Sequence, residues 1–548
     1  MYRKTIQQVM KVPSFGTSLI RSLAMLGLFL VVTACMEEKR PQIVYPETDL
    51  SASPFMPIPD EVVPTGDAFG IDRHTGIYAP AADGELLEIA DYLADRLQSR
   101  TGLRLPVNGS AENDIHRAIY LNTDTEKGPE DYDMYITRDS LLINAGSAAG
   151  AFMAVQTLRQ ILPETANDTL AEFPIWAVPT GKITDAPEFA YRGSMLDVAR
   201  HFFSVEDVKK YIDIMAYYKM NVLHLGLTND QGWRIEIKSW PLLAEVGGST
   251  EVGGGPGGYY TQEEYKDIVA YAAEQFITIV PEVDMPGHTN AASVAYPFLN
   301  GNGKTPELYT GTRVGFSTWD ARKDTVYSFI DDVVREISAI TPGPYFHVGG
   351  DETHVTSQSD YIYFMERVEP IVRKYGKQMV GWDEMAIAKL DSSSIAQFWA
   401  SEENAQKAVA QGMKVILSPA KKAYLDMQYD SLSPLGLHWA GYIPVDTAYQ
   451  WNPVSYTAGL DRDDILGVEA PLWSETISEL SELEFLAFPR LSGYAELAWS
   501  KEENRDWESY RLRLAAQAPY FRRMEINYYK SPLIPWPEME LPEPAIKD

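Results

Sequence analysis

Apolar residues recur along this chain with more than one period, and the change of period divides it. Leu87, Ile89, Leu93 and Leu97 follow a helical spacing across 86–101 and stop at Gly102. Residues 118–121 read as a strand, 132–136 and 141–144 as a hairpin pair, and 148–161 as a second helix. Strands mixed with helices predict a smaller α+β domain over 61–183. From about Ala186 the pattern turns regular. Strand-like apolar runs stand at 194–198, 221–227, 277–283, 345–348, 378–382, 395–399, 414–417 and 465–468, eight in all. Helical stripes lie between many of them. Ser204 caps one that buries Val208, Tyr211, Ile212 and Met215, and Thr261 with Glu264 forms a capping box before Tyr265, Ile268, Val269 and Ala272. Val326, Ile330, Val333, Val334 and Ile337 form a third stripe. Eight strand–helix units predict an α/β fold, a (β/α)8 TIM barrel over 184–500 preceded by the α+β domain. The active site of such a barrel sits at the C-terminal strand ends. Residues 421–464 are expected as an active-site loop, 506–524 as a closing helix, and 501–548 as a helical extension on the barrel.

Composition narrows the partners. The 548 residues include 47 basic and 77 acidic side chains, a formal charge of −30, which argues against nucleic acid and anionic lipid as partners. A single cysteine excludes an intrachain disulfide. Its context is informative: Arg21, an apolar run from Leu23 to Val32, then Thr33-Ala34-Cys35. That is a secretory signal, too short for a stable membrane span. Val32-Thr33-Ala34-Cys35 resembles the bacterial lipobox, which implies lipidation of Cys35 and a protein anchored in the bacterial cell envelope. The signal would occupy 1–35, and the Pro-rich stretch 36–60 would be an extended tether.

One stretch concentrates the chemistry. Tyr345-Phe346-His347-Val348 is an apolar strand, Gly349 and Gly350 carry no side chains, and Asp351-Glu352 close it. The glycines allow close approach of a ligand or another backbone. Two adjacent acids repel each other, so one tends to keep its proton near neutral pH, as a general acid requires. Gly253 to Gly258, though glycine-rich, precede no Lys-Ser/Thr pair and read as a flexible loop.

His347-Val348-Gly349-Gly350-Asp351-Glu352 resembles the signature of family 20 glycoside hydrolases, the beta-N-acetylhexosaminidases. The resemblance continues through Arg200-His201-Phe202, Asp230-Gln231-Gly232-Trp233-Arg234, Asp284-Met285-Pro286-Gly287-His288 and Pro471-Leu472-Trp473-Ser474-Glu475. It implies Glu352 as the acid and then base, and Asp351 as the acceptor for the substrate's acetamido N–H. Tyr424 would hold the acetamido oxygen and His288 would tune Glu352. Trp382, Trp399 and Trp473 would wall the acetamido methyl and the sugar face. Arg200 and Glu475 would grip hydroxyls, with Asp426 and Trp439 near the 4- or 6-position. Asn229 and Asp284 are implied on the substrate-binding side. Beta-linked N-acetylhexosaminide glycans are the implied partners, cleaved without a cofactor or metal. A metal site built from His288, His347, Asp351 and His354 is the competing arrangement, but these lack ligand spacing such as His-Glu-x-x-His. A non-catalytic glycan-binding lipoprotein on the same fold is the alternative function. One position departs from the family pattern: Asn229-Asp230 stands where two successive Asp are usual.

Overall fold

The computed structural model describes residue 45 and residues 47–108, 117–167, 174–301 and 304–538. The expected signal, Cys35 and the first part of the expected tether lie outside the described residues.

The N-terminal domain is a six-stranded sheet in the order β1-β6-β4-β5-β3-β2. Its strands are β1 Glu61–Ile71, β2 Thr75–Tyr78, β3 Arg117–Thr123, β4 Tyr132–Ile136, β5 Ser140–Ala145 and β6 Trp176–Asp185. The expected hairpin is present, β4 running antiparallel to β5 with Tyr132 opposite Ala145. Helix α1 (Gly84–Thr101) is capped by Asp83 and ends at Gly102, whose φ of 72° a side chain would strain. Helix α2 (Ala148–Ile161) buries every residue except Ala149 and Arg159. A helix buried all round must be covered on both sides. Here the sheet covers one side and the second domain the other: Phe152 packs on Phe276, and Gln160 donates to the Tyr217 carbonyl.

That second domain is a closed barrel of eight parallel strands. They are β7 Tyr191–Asp197, β8 Val222–Thr228, β9 Thr278–Val283, β10 Tyr345–His347, β11 Gln378–Trp382, β12 Ile395–Phe398, β13 Lys414–Leu417 and β14 Ile465–Leu472. Helices α3 (Val205–Tyr217) and α4 (Gln262–Ala273) open on capping boxes, Ser204 with Asp207 and Thr261 with Glu264. The third stripe lies on α5 (Asp324–Ile340). Strands β7 and β14 run beyond the expected limits, to Tyr191 at one start and Leu472 at the other end. The charged side chains of Arg192 and Glu469 interrupt the apolar runs there, yet both are fully buried.

Two expectations are corrected. The stretch 36–60 is not a free tether from Leu50 onward. Leu50, Phe55 and Met56 are buried, Met56 exchanges two hydrogen bonds with Gln160, and Arg513 donates to the Phe55 carbonyl. Its buried apolar residues pack where the two domains meet. The expected helix over 506–524 is two helices. Beyond α6 (Gln358–Lys374) and α7 (Arg490–Trp499), α8 (Trp507–Ala515) stops before α9 (Ala518–Arg523), because Pro519 has no N–H to continue the helix ladder. The loop 421–464 also carries short helices at Val445–Tyr449 and Pro453–Tyr456.

Candidate active site

At the C-terminal ends of the strands, short turns deliver the expected side chains to one place. After β10 the chain turns through Gly349 and Gly350, with φ of 64° and 101°. A Cβ at Gly349 would stand 1.9 Å from the Asp284 carboxylate, so only glycine fits. Gly350 N–H donates to Asp284 Oδ1 at 3.1 Å, fixing the turn that presents Asp351 and Glu352. Glu352 and His288 both have left-handed backbone, with φ of 48° and 55°. Such non-glycine geometry is uncommon and persists where surrounding contacts hold it.

His288 is fully buried and joins the cluster. Its Nε2 lies 3.5 Å from both Asp351 and Glu352, and its Nδ1 lies 3.1 Å from Asn229 Oδ1 and 3.7 Å from Asp230 Oδ2. Against the effect of burial, the negative charges of Asp351 and Asp284 raise His288 to about 10. Burial and the neighbouring Glu352 charge, opposed by His288, raise Asp351 to about 6. Glu352 moves the other way. Burial favours its neutral form, but the His288 imidazolium, its Nε2 3.5 Å away, holds Glu352 below the usual carboxyl range. The resting site therefore holds protons on the His288 imidazole, beside Glu352, and on the Asp284 carboxyl, which burial and the charge of Asp351 push well up.

A cavity of about 210 Å³ opens in front of these acids. Asp351, Glu352, Trp399, Tyr424, Trp439 and Trp473 line it, together with Arg200, Asp426 and Glu475. Tyr424 lies between the tryptophans, its ring centroid 6.4 Å from Trp399, 5.9 Å from Trp439 and 6.3 Å from Trp473. Trp399 Nε1 donates to Glu384, whose carboxyl burial and the charge of Asp383 raise to about 8. The Arg200 guanidinium lies 4.7 Å from the Trp473 ring and 3.8 Å from the Glu475 carboxylate. Arg200 Nε and Nη1, both Asp426 oxygens and one Glu475 oxygen are buried without a hydrogen-bond partner. Unpaired buried polar atoms are costly, so a pocket that keeps several together is built for a polar ligand.

Three residues expected against the substrate stand behind this wall instead. Asn229 and Asp284 are buried at His288 and at the Gly350 turn, and Trp382 is packed against Trp473 with its indole N–H given to Glu282. Their short reach, or their prior hydrogen bond, keeps them from the cavity. The four-residue metal set does not assemble as one group: His288 clusters with Asp284 and Asp351, but His347 with His224 and Glu282. Sequence reading missed Thr312, Val314 and Leu437 on the cavity wall, for which no local signal exists. It also missed Glu384, where a signal was present. Asp383-Glu384 is a second acidic pair directly after a barrel strand.

Carboxylates, a cation and several indoles at the C-terminal mouth of a (β/α)8 barrel fit a carbohydrate-cleaving enzyme, a glycoside hydrolase. Comparison with known proteins gives the family. Residues 189–502 match the glycosyl hydrolase family 20 catalytic domain and residues 52–186 match domain 2 of the same family. The chain belongs to glycosyl hydrolase family 20. It is 39% identical over 459 residues to a beta-N-acetylhexosaminidase of Cellulomonas fimi, covering 83% of this chain and 91% of the relative. The GH20 beta-N-acetylhexosaminidase of Streptomyces coelicolor A3(2) has a similar structure, with a TM-score of 0.84 and 48% identity over 90% of this chain and 100% of the other. A mutant Streptomyces plicatus beta-hexosaminidase solved with its product GlcNAc matches at 0.84 and 47%, covering 91% and 100%.

Proposed function

We propose that this protein is an exo-acting beta-N-acetylhexosaminidase that removes terminal beta-linked GlcNAc or GalNAc by a retaining, substrate-assisted route. The observation that carries the reading is the pairing of Asp351 and Glu352 on one turn, both 3.5 Å from the same imidazole nitrogen. Ordinary glycosidases flank the scissile bond with two opposed carboxyl groups, about 5–5.5 Å apart in retaining enzymes. Neighbouring residues on one tight turn serve the same side of the sugar more readily. The attacking group is then the substrate's own acetamido oxygen, an exception the family is known for. Asp351, ionised above about pH 6, accepts the acetamido N–H and offsets the charge that grows there. Tyr424 and the indoles of Trp399 and Trp473 enclose the acetamido group. Glu352 must bring a proton to the leaving oxygen, and His288 supplies it: the imidazolium passes its proton to Glu352 as the substrate displaces water. After the glycosidic bond breaks, ionised Glu352 takes a proton from the water that opens the intermediate.

Exo action is supported by the polar end of the cavity. The unpaired atoms of Arg200, Asp426 and Glu475 match the hydroxyls of a terminal ring. The relative solved with GlcNAc supports the sugar class. The test is hydrolysis of an aryl beta-N-acetylglucosaminide, with its beta-glucoside and N-trifluoroacetyl counterparts alongside. Hydrolysis with retention, loss with the glucoside and a steep fall with the trifluoroacetyl compound are expected. Equal rates on all three would overturn the mechanism. We further propose a lipid anchor on Cys35 in the cell envelope, motivated by the lipobox-like sequence. Fatty-acid label that persists in Cys35→Ala would refute it.

A further inference from the structure

A second cavity, of about 150 Å³, lies at the seam between the N-terminal domain and the barrel. It is far from the reaction in the fold. Tyr217 ends α3, and in a (β/α)8 barrel the helices run back from the catalytic face to the opposite one. Arg96, Arg100, Arg159 and Arg523 line it, with Tyr217 and Tyr520. These come from α1, α2, α3 and α9, so both domains and the C-terminal extension contribute.

Four guanidinium groups in one pocket are unusual in a chain of net charge −30. Among the described residues no carboxylate lines the pocket. Glu164 pairs with Arg100 at 3.0 Å and with Arg523 at 2.8 Å, but its side chain is half exposed. Asp213 acts on Arg96 and is already bonded by Tyr271 and Gln275. Arg159 gives hydrogen bonds to Tyr92 Oη and Gln156 and lies 5.1 Å from the Tyr217 ring. Arg100 donates to the carbonyls of Leu162 and Pro163. The two tyrosines stack face to face, 3.7 Å between centroids, and so hold the wall rigid.

Two donors are left over. Arg100 Nε and Tyr520 Oη are buried and have no hydrogen-bond partner. Tyr520 is only 3% exposed, so water does not readily relieve its hydroxyl. Leaving a buried donor unpaired costs stability, which a bound acceptor would recover. The cavity exceeds the ~10–15 Å³ that one water needs. Burial and the charge of Arg523 lower the Arg100 pKa, while Tyr92 and Asp213 raise that of Arg96 against its burial. Guanidinium forks match tetrahedral oxyanions by paired N–H bonds.

We propose that this pocket binds a compact oxyanion, a phosphate or sulfate group, and by doing so ties the N-terminal domain to the C-terminal helix. The probes are inorganic phosphate and sulfate on the full chain, with chloride at equal ionic strength as control. Phosphate should raise the melting temperature where chloride does not, because a ligand held only by the folded state stabilises it. Tyr520→Phe keeps the ring stack and removes only the unpaired hydroxyl. It should melt no lower than the parent in chloride, bind phosphate roughly ten-fold more weakly, and hydrolyse an aryl glycoside at the parent rate. Arg96→Gln, on a separate helix, should weaken phosphate similarly. An equal response to chloride, or phosphate binding unchanged in both variants, would overturn the proposal. Vesicles of phosphatidylglycerol distinguish the source. Sedimentation with them that inorganic phosphate and Tyr520→Phe both abolish assigns a lipid headgroup; phosphate binding without it assigns a free or sugar-borne oxyanion.

Discussion

Two buried clusters of histidine and carboxylate occupy neighbouring positions on the same three strands. One joins His224, Glu282 and His347, from β8, β9 and β10. The other joins Asp284, His288 and Asp351, a few residues further along β9 and β10, with Asn229 after β8. Their ingredients are alike and their states are not. In the inner cluster each carboxylate oxygen is engaged. Glu282 takes the Trp382 indole N–H at 3.0 Å and lies within 3.3 Å of both imidazoles. Glu469 meets His224, Gln397 and Tyr191. In the outer cluster Asp351 Oδ1, Asp230 Oδ2 and His288 Nε2 are left without a hydrogen bond. The inner cluster spends its charges on holding Trp382 and the strands; the outer one keeps binding capacity for a substrate. Residue types alone do not separate them, and neither do unpaired atoms, since His224 Nε2 and His347 Nε2 of the inner cluster also lack a hydrogen bond. The cavity that Asp351 lines does.

That contrast can be broken most sharply by removing the outer charges. Asp351→Asn should lower kcat/KM by about 10²–10³ whatever the leaving group, since it removes stabilisation of developing charge. Glu352→Gln should cost about 10²–10⁴ on natural linkages and far less where the leaving group needs no proton. Both variants should melt within a few degrees of the parent. Kinetics on paired substrates with good and poor leaving groups check this, and parallel losses would merge the two roles.

The inner cluster should respond in the opposite sense. Glu282→Gln should cost about 3 kcal/mol of stability, because it strands His224 and His347 beside a neutral amide. It should change kcat/KM less than ten-fold in the folded enzyme. Glu282 and Glu469 are held below their ordinary range by the imidazoles despite burial. Their stabilisation is therefore complete above about pH 4.5 and is lost as pH falls below it. Denaturant melts from pH 7 to pH 3 should show Glu282→Gln losing less on acidification than the parent.

A finer test lies at Asn229. An aspartate there would set a negative charge against His288 Nδ1, now 3.1 Å from a neutral amide oxygen. A nearby anion favours every protonated form around it. In Asn229→Asp the alkaline limb of kcat/KM should move up, by roughly half to one pH unit. An unmoved or acid-shifted limb would show that Asp230 already sets the charge. The smallest effect belongs to the rim. Trp439 is 57% exposed, and Trp439→Ala should raise KM a few-fold, about 1 kcal/mol of aromatic contact, with kcat nearly unchanged.

The barrel was legible because each of its eight strands carries a mostly apolar run, as strands buried on both faces do. Strands β1, β2 and β6 were not. β1 and β6 contain Pro64, Gly66, Pro179 and Gly181, and β2 has only four residues. The acid pair was legible for the same local reason, a strand followed by glycines and charge. Glu282, His224 and Glu469 were not, since each is a single polar residue in an apolar strand, and its partners come from other strands. Only the closed barrel brings them together.

The segment before β1 has a mechanical consequence. Residues 50–58 are clasped on both sides, by Gln160 of the N-terminal domain and by Glu496 and Arg513 of α7 and α8. Force applied to the N-terminal end of the chain first meets Thr48, which donates to the Gly66 and Asp67 carbonyls of β1, and then this clasp. Several hydrogen bonds then share the load among β1, α2, α7 and α8, elements far apart in the sequence.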